Sequence, residues 1–111
     1  MQVTKSVQGA VAVLTIRDAL VAEELTELKD VLQECSNSGL FRIVMDMRSV
    51  PSIDSAGLEM LQDLTLDLGK RGGDLRVTML NDICKDIFVA TRMDSFIQES
   101  DDQESAIRSL V

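Results

Sequence analysis

The chain of 111 residues has no histidine, tryptophan or tyrosine, and it has only one proline, two cysteines and three phenylalanines. Without histidine there is no Ser-His-Asp triad, no imidazole general base and no histidine ligand for zinc. Glycine-rich phosphate-binding motifs of the GxxxxGK[ST] and GxGxxG types are also missing. We therefore expect the chain not to be an enzyme and to need neither a cofactor nor a metal.

Positive charge is scarce as well, because 11 Lys and Arg residues face 19 Asp and Glu residues, which gives a net charge of -8. Binding to nucleic acid or to an acidic membrane requires clustered cations, so we expect neither partner. The apolar run Ala10 to Ile16 is far shorter than the roughly 20 residues that span a bilayer, and Met1 to Lys5 lack the long apolar region of a signal peptide, so we expect neither a membrane span nor export. Cys35 and Cys84 form no CxxC motif, which is typical of a reduced cytoplasmic protein.

What is present is a hydrophobic content of 45% and a charged content of 27%, as in a globular protein. The length fits one domain over residues 1–111, with a core of Leu, Ile, Val and Met, and nothing demands more than a monomer. Short apolar runs alternate with segments of helical periodicity, which predicts an α/β fold: a mixed sheet of four to five strands packed against about four helices, in the order ββαβαβαβα.

Strands are predicted at five places, namely Val3 to Ser6, Ala10 to Ile16, Phe41 to Met45, Leu75 to Met79, and around Phe96 and Ile97. Helices are predicted from Glu23 to a stop at Asn37 to Gly39, from near Asp54 to Gly69, from the cap Asn81 to about Thr91, and from Asp102 to Leu110. The inward residues expected in the two central helices are Leu58, Leu61, Leu64, Thr65 and Leu68, and then Ile83, Ile87 and Phe88. Gly69 to Gly73 is interpreted as a helix stop and turn.

The segment Asp46 to Leu58 is the part of the sequence that suggests a mechanism of regulation. It runs from the predicted end of a buried strand through a loop into a helix N-terminus, where unpaired N–H groups give a positive potential. Asp54 is a natural N-cap, which places Ser55 in the first turn, and Gly57 has no Cβ and so lets another surface approach that turn. We expect the carboxylates of Asp46 and Asp54 to converge here.

Two interpretations of Ser55 remain open at this point. Asp54 and Ser55 could simply cap a helix, or a kinase could phosphorylate Ser55, which would add a charge of about -1.5 to -2. A phosphate buried without a partner would cost roughly 3–5 kcal/mol, enough to weaken a complex by two or three decades.

The segment Ile53 to Leu58 resembles the signature of the STAS domain in bacterial anti-sigma factor antagonists, where a hydrophobic residue precedes Asp-Ser-Ser/Thr-Gly-Leu. The resemblance extends to the strand Phe41 to Asp46, the turn Lys70 to Leu75 and the helix Asn81 to Phe88, and so covers nearly the whole chain. It implies that a GHKL-type serine kinase, which is also the anti-sigma factor, phosphorylates Ser55. A metal-dependent serine phosphatase would then reverse the modification.

The same resemblance implies that the unphosphorylated form binds the kinase and so frees a sigma factor. The residues implied in partner binding are Leu20, Asp54, Ser55, Ala56, Gly57 and Leu58. Two features depart from the family pattern. Ala56 stands where a second hydroxyl is common, and Asp18-Ala19-Leu20-Val21 replaces Gly-x-Leu-Asp in a loop that helps form the partner surface. The identity of the partner, and whether the output is a sigma factor, therefore stay open.

Two other functions remain as alternatives. The chain could be a STAS scaffold or interaction module, never phosphorylated, in a signalling or transport complex, with Ser55 serving only in the helix start. It could also be a small enzyme that uses Asp46 and Asp54, although the missing histidine and cofactor motifs count against this.

Overall fold

The computed structural model describes all residues from 1 to 111, and its elements follow the predicted order. The strands are β1 (Gln2–Gln8), β2 (Val11–Arg17), β3 (Arg42–Ser49), β4 (Asp74–Thr78) and β5 (Gln98–Ser100). The helices are α1 (Thr26–Asn37), α2 (Ser55–Lys70), α3 (Asp82–Ala90) and α4 (Gln103–Leu110), with short 3₁₀ turns at Ala22–Glu24 and Met93–Ser95. None of these helices is long and apolar enough to cross a bilayer.

The five strands form one mixed sheet in the order β1-β2-β3-β4-β5. β1 and β2 make an antiparallel hairpin, whereas β2, β3, β4 and β5 run parallel to one another. The predicted α/β class and mixed sheet are therefore confirmed. Because β2, β3 and β4 are parallel, their carboxyl ends meet at one edge of the sheet, and the loops that follow them lie together there.

Side chains on the two faces of the sheet pack into two separate cores. The larger core joins one face to α1, α2 and α3 and contains 21 buried residues. The smaller core lies under α4 on the opposite face and contains Val11, Val13, Val44, Ala106 and Leu110. Alternation along β3 decides which residue faces which core. Met45 and Met47 belong to the larger core, whereas Val44 belongs to the smaller one.

Several predicted details fit the structure closely. Cys35 follows Leu28, Val31 and Leu32 at helical spacing, which predicts a core residue, and it is fully buried in the larger core. The glycine-rich segment after α2 is a helix stop, in which Gly73 N–H donates to the Leu68 carbonyl at 2.8 Å and Gly72 has a φ of 78°. That conformation favours glycine. The predicted N-cap Asn81 accepts a hydrogen bond from a first-turn N–H, and Asp102, where a helix was predicted to begin, caps that helix in the same way.

Three predicted details are wrong. Strand β3 continues through Ser49, so Asp46 lies inside the strand and the loop begins only at Val50. Ile83 was expected in the core but is 58% exposed. The cap at Asn81 fixes the helical phase of α3 so that Cys84 and Phe88 are its buried residues. The last strand is also shifted, because the segment around Phe96 precedes it and β5 occupies Gln98–Ser100.

Candidate functional site

Ser55 is the first residue of α2, and it is exposed. The preceding residue, Asp54, has an extended backbone and caps the helix, with its Oδ1 accepting a hydrogen bond from Gly57 N–H at 2.9 Å. The predicted N-cap is thus confirmed. This capping bond fixes the first turn of α2 and leaves the Ser55 hydroxyl facing solvent beside the positive end of the helix dipole.

The second carboxylate oxygen of Asp54 reaches a different loop. Its Oδ2 accepts a hydrogen bond from Ala22 N–H at 3.1 Å, in the 3₁₀ turn before α1. The two amide donors, Gly57 first and Ala22 second, stabilise the ionised carboxylate and hold the pKa of Asp54 below its usual value. One side chain therefore caps α2 and also joins the loop after β3 to the loop after β2.

Backbone hydrogen bonds join the same two loops. Leu20 N–H donates to the Ser52 carbonyl at 3.0 Å, and Asp54 N–H donates to the Leu20 carbonyl at 3.1 Å. Leu20 and Ile53 form a parallel bridge between these bonds. The pairing extends the β2–β3 ladder past both strands, so the loops behave as one short stretch of sheet under the start of α2.

A third loop is attached through Asn81. Its Nδ2 donates to the Val50 carbonyl at 3.1 Å and to the Pro51 carbonyl at 3.3 Å, while its Oδ1 caps α3 by accepting from Cys84 N–H at 2.8 Å. The loop after β4 is thereby fixed to the loop that leads to Ser55. The sequence indicated the capping role of Asn81, but nothing local showed where its amide nitrogen would point.

The loop after β2 contains a strained residue. Asp18 has a φ of 103°, which is unusual for any residue other than glycine. Its Oδ1 accepts a hydrogen bond from Ala19 N–H at 2.9 Å, and its own N–H donates to the Ser49 carbonyl at 3.2 Å. Asp18 occupies the position of the glycine in the Gly-x-Leu-Asp pattern, and the positive φ explains physically why glycine suits that position.

The other predicted partner-binding residues differ in exposure. Ala56 and Leu58 are half-buried, whereas Gly57 is buried and Leu20 is fully buried. The surface that approaches Gly57 is therefore the chain's own Leu20 loop, since a Cβ on Gly57 would overlap the Leu20 carbonyl oxygen. These two residues lie behind the exposed surface and hold it in position.

Asp46 and Asp54 do not converge, so that expectation is wrong. Asp46 is only 5% exposed and lies on the α4 face of the sheet. Its Oδ2 accepts from Gln103 Nε2 at 2.8 Å, and its Oδ1 accepts from Arg48 N–H at 3.0 Å. The signal was present in the sequence, because a residue adjacent to inward-facing Met45 on a strand must face the opposite side.

The carboxylate and thiol side chains of the chain do not assemble into a cluster that could hold a metal ion. Cys35 and Cys84 are separate free thiols, and burial raises the pKa of both. What the site offers is therefore an exposed hydroxyl on a rigid surface that three loops build together.

The chain belongs to the STAS domain family, whose model matches residues 2–106. No curated protein matches it by sequence. Solved structures that share its fold include a Thermotoga maritima protein described as a candidate anti-sigma factor antagonist. That structure has a TM-score of 0.90 and 21% identity, over 97% of this chain and 93% of the other.

Two further proteins with solved structures of this fold are described as anti-sigma factor antagonists. The Mycobacterium paratuberculosis antagonist has a TM-score of 0.86 and 16% identity, over 98% of this chain and 92% of the other. SpoIIAA of Bacillus has been solved in unphosphorylated and phosphorylated forms, both with a TM-score of 0.73 and 12% identity. They cover 97% of this chain, and 96% and 99% of the two SpoIIAA chains. At these identities the likeness is one of fold.

Proposed function

We propose that this STAS domain is an anti-sigma factor antagonist that works by partner switching in the bacterial cytoplasm. Its unphosphorylated form binds a GHKL-type serine kinase that is also the anti-sigma factor, and phosphorylation of Ser55 releases that kinase. A metal-dependent serine phosphatase restores the binding form. The observation that carries this proposal is the exposed Ser55 hydroxyl at the start of α2, on a surface fixed by hydrogen bonds.

In the forward step the kinase transfers the γ-phosphoryl group of ATP to Ser55 Oγ, which loses its proton as ADP leaves. In the reverse step the phosphatase hydrolyses the phosphoester to serine and inorganic phosphate. Nucleotide and magnesium belong to the kinase, and the catalytic metal belongs to the phosphatase. This chain contributes the acceptor oxygen and the surface that presents it, and in this proposal it catalyses neither step.

Phosphorylation would act on the complex through charge. A phosphate at Ser55 adds about -1.5 to -2 charges directly beside Asp54, whose carboxylate is already held in place by Gly57 and Ala22. The helix N-terminus and water can stabilise this charge in the free protein. A closely packed kinase would exclude that water, and an unpaired buried charge costs roughly 3–5 kcal/mol. The affinity of the complex should therefore fall by roughly a hundredfold to a thousandfold.

The switch requires no rearrangement of the domain. Ser55 lies outside both hydrophobic cores, and the bonds around it run between backbone groups and the side chains of Asp54 and Asn81. The phosphorylated and unphosphorylated forms of SpoIIAA match this chain equally well in fold. Both facts support a mechanism in which only the surface charge changes.

The direct test is phosphorylation by GHKL-type serine kinases encoded in the same genome, with ATP and magnesium, followed by localisation of the phosphate by mass spectrometry. We expect one phosphoryl group, on Ser55, and none in the Ser55→Ala variant. Ser52→Ala is the matched control, because Ser52 lies in the same loop only three residues away, and this variant should be modified like the wild type.

Binding of the same kinase supplies the second readout. Ser55→Ala should bind like the unmodified wild type, whereas Ser55→Asp should bind about ten- to a hundredfold more weakly, because a single carboxylate carries less charge than phosphate. Equal binding by Ser55→Asp and wild type would refute charge exclusion. If no kinase modifies Ser55, the chain is better explained as an interaction module of a signalling or transport complex.

A further inference from the structure

An open groove of about 510 Å³ runs between α1 and α2 and begins beside the candidate phosphoacceptor. Its end nearest Ser55 is lined by Ala22 and Ala56, two small side chains that leave the entrance clear. Ala56 directly follows Ser55, and Ala22 N–H is held by Asp54. The groove and the Ser55 surface are therefore continuous.

The floor of the groove is apolar. It is formed by Leu25, which is 5% exposed, and by Ala56, Met60 and Leu64, which are half-buried and pack against the larger core. The alanine found where the family pattern has a second hydroxyl is part of this floor. Replacing the hydroxyl with a methyl group therefore makes the surface next to Ser55 more apolar.

The rim of the groove is acidic. Glu59, Asp63 and Asp67 follow each other at four-residue spacing and form one exposed stripe along α2. Asp67 pairs with Arg71, but Glu59 and Asp63 make no ion pair within the chain. Lys29 is the one cation that lines the groove. Two carboxylates thus flank an apolar floor without internal partners.

We propose that this groove docks an amphipathic helix of the partner, with apolar residues on one side and Lys or Arg residues flanking them. This inference rests on the proposed function, since the partner is the serine kinase. From Ala56 to Asp67 the α2 side of the groove extends about 17 Å, which matches about three turns of a docked helix. Anchors at i, i+3 or i+4, and i+7 would lie on the floor, with cations opposite Glu59 and Asp63.

The other classes of occupant fit less well. An extended peptide gains most of its affinity from backbone hydrogen bonds to a sheet edge, whereas the walls here are two helices whose backbone groups are already paired. An anionic lipid surface or anionic small molecule would be repelled by the acidic rim. A cationic, partly apolar helix satisfies both the floor and the rim.

The first experiment uses a model helix, so it does not depend on phosphorylation. A Leu/Lys peptide of about three to four turns, with leucines at helical spacing, is titrated into the methyl-labelled chain and followed by NMR. We expect shifts at the methyl groups of Ala56, Met60 and Leu64. A Leu/Glu peptide of the same pattern should bind at least about tenfold more weakly, because its charges oppose the rim.

Charge reversal on the chain tests the rim directly. Glu59→Lys and Asp63→Lys should each weaken the Leu/Lys peptide about two- to fivefold, and the double variant about tenfold. Asp86→Lys is the matched control, since it changes net charge equally on the exposed side of α3 and should leave affinity within about twofold. The proposal fails if both peptides bind alike, if the shifts map to another face, or if Asp86→Lys weakens binding as much as either single rim variant.

The second experiment uses the kinase. Because Glu59 and Asp63 lie about one and two helical turns beyond Ser55, they are not next to the reacting hydroxyl, so the double variant should raise KM for Ser55 phosphorylation about tenfold and leave kcat unchanged. An unchanged KM would exclude the kinase as the occupant of the groove. If Ser55 is never phosphorylated, the proposed function fails, and the peptide titration still decides whether the groove binds a basic helix.

Discussion

Gly57 and Leu20 are 37 positions apart in sequence, yet the carbonyl oxygen of Leu20 occupies the space that a Cβ on Gly57 would need. The Ile53 Cγ2 atom lies 2.9 Å from the same position. The first turn of α2 therefore presses against the loop after β2 so closely that only glycine fits. This contact holds Asp54 within reach of Ala22 and so determines the shape of the Ser55 surface.

Gly57→Ala should destabilise the protein by about 1–3 kcal/mol, because the neighbours are backbone and core atoms that cannot move aside. Gly69→Ala is the matched control in the same helix, where a Cβ meets nothing within 4 Å. That variant should stabilise the protein by about 0.5–1 kcal/mol through helix propensity. Chemical denaturation measures both, and equal stabilisation by the two substitutions would contradict the close contact.

The strained backbone of Asp18 leads to a stabilising substitution. Asp18→Gly should raise the free energy of unfolding by about 1 kcal/mol, since relief of the positive φ outweighs both the entropy that glycine loses on folding and the lost hydrogen bond from Ala19 N–H. Asp18→Ala keeps the strain and loses the hydrogen bond from Ala19 N–H, so it should be less stable than wild type. Thermal unfolding of the three proteins would show the order Gly, Asp, Ala, and any other order would contradict this interpretation.

Asp54 makes stability depend on pH in the acid range. Its pKa is lowered in the folded state by the Gly57 and Ala22 N–H groups, so its contribution is fully present above the ordinary pKa of 3.8. The contribution disappears as the pH falls through the lower folded pKa. Asp54→Asn removes this titration, so the difference in stability between wild type and variant should shrink steadily as urea unfolding is repeated from pH 6 down to about 2.5.

A constant difference between wild type and Asp54→Asn across that pH range would show that the charge of Asp54 has no part in holding the loops. Asp102 is a useful control because its pKa is also lowered, by the Ser105 N–H group at the start of α4. Asp102→Asn should change the acid dependence of stability. It should leave the NMR chemical shift of the Ala22 amide unaltered, because that amide donates to Asp54.

Asn81 serves two purposes that can be separated. Asn81→Asp keeps the capping bond to Cys84 N–H but loses the amide donor to the carbonyls of Val50 and Pro51, which should cost about 1 kcal/mol. Asn81→Ala loses both and should cost about 2 kcal/mol. In both variants, amide hydrogen exchange in the segment 50–54 should accelerate. Unchanged exchange in Asn81→Asp would mean that the loop is fixed by other contacts.

Local signals predicted much of this structure. The order of the elements and the caps at Asp54 and Asn81 are encoded by neighbouring residues, and both caps are present. Features that depend on distant residues were missed, such as the bond from Ala22 N–H to Asp54. Ile83 shows a different limit of prediction from sequence. It is apolar, but it is exposed because the cap at Asn81 orients α3 so that the next residue, Cys84, faces the core.

The surface around Ser55 is built from the loops after β2, β3 and β4, which only the completed sheet brings together. A short peptide copied from the segment around Ser55 would therefore lack most of this surface. A nascent or misfolded chain would lack it too. In the proposed partner switch, only fully folded molecules could therefore take part, so the cellular signal would report the amount of native protein rather than the amount synthesised.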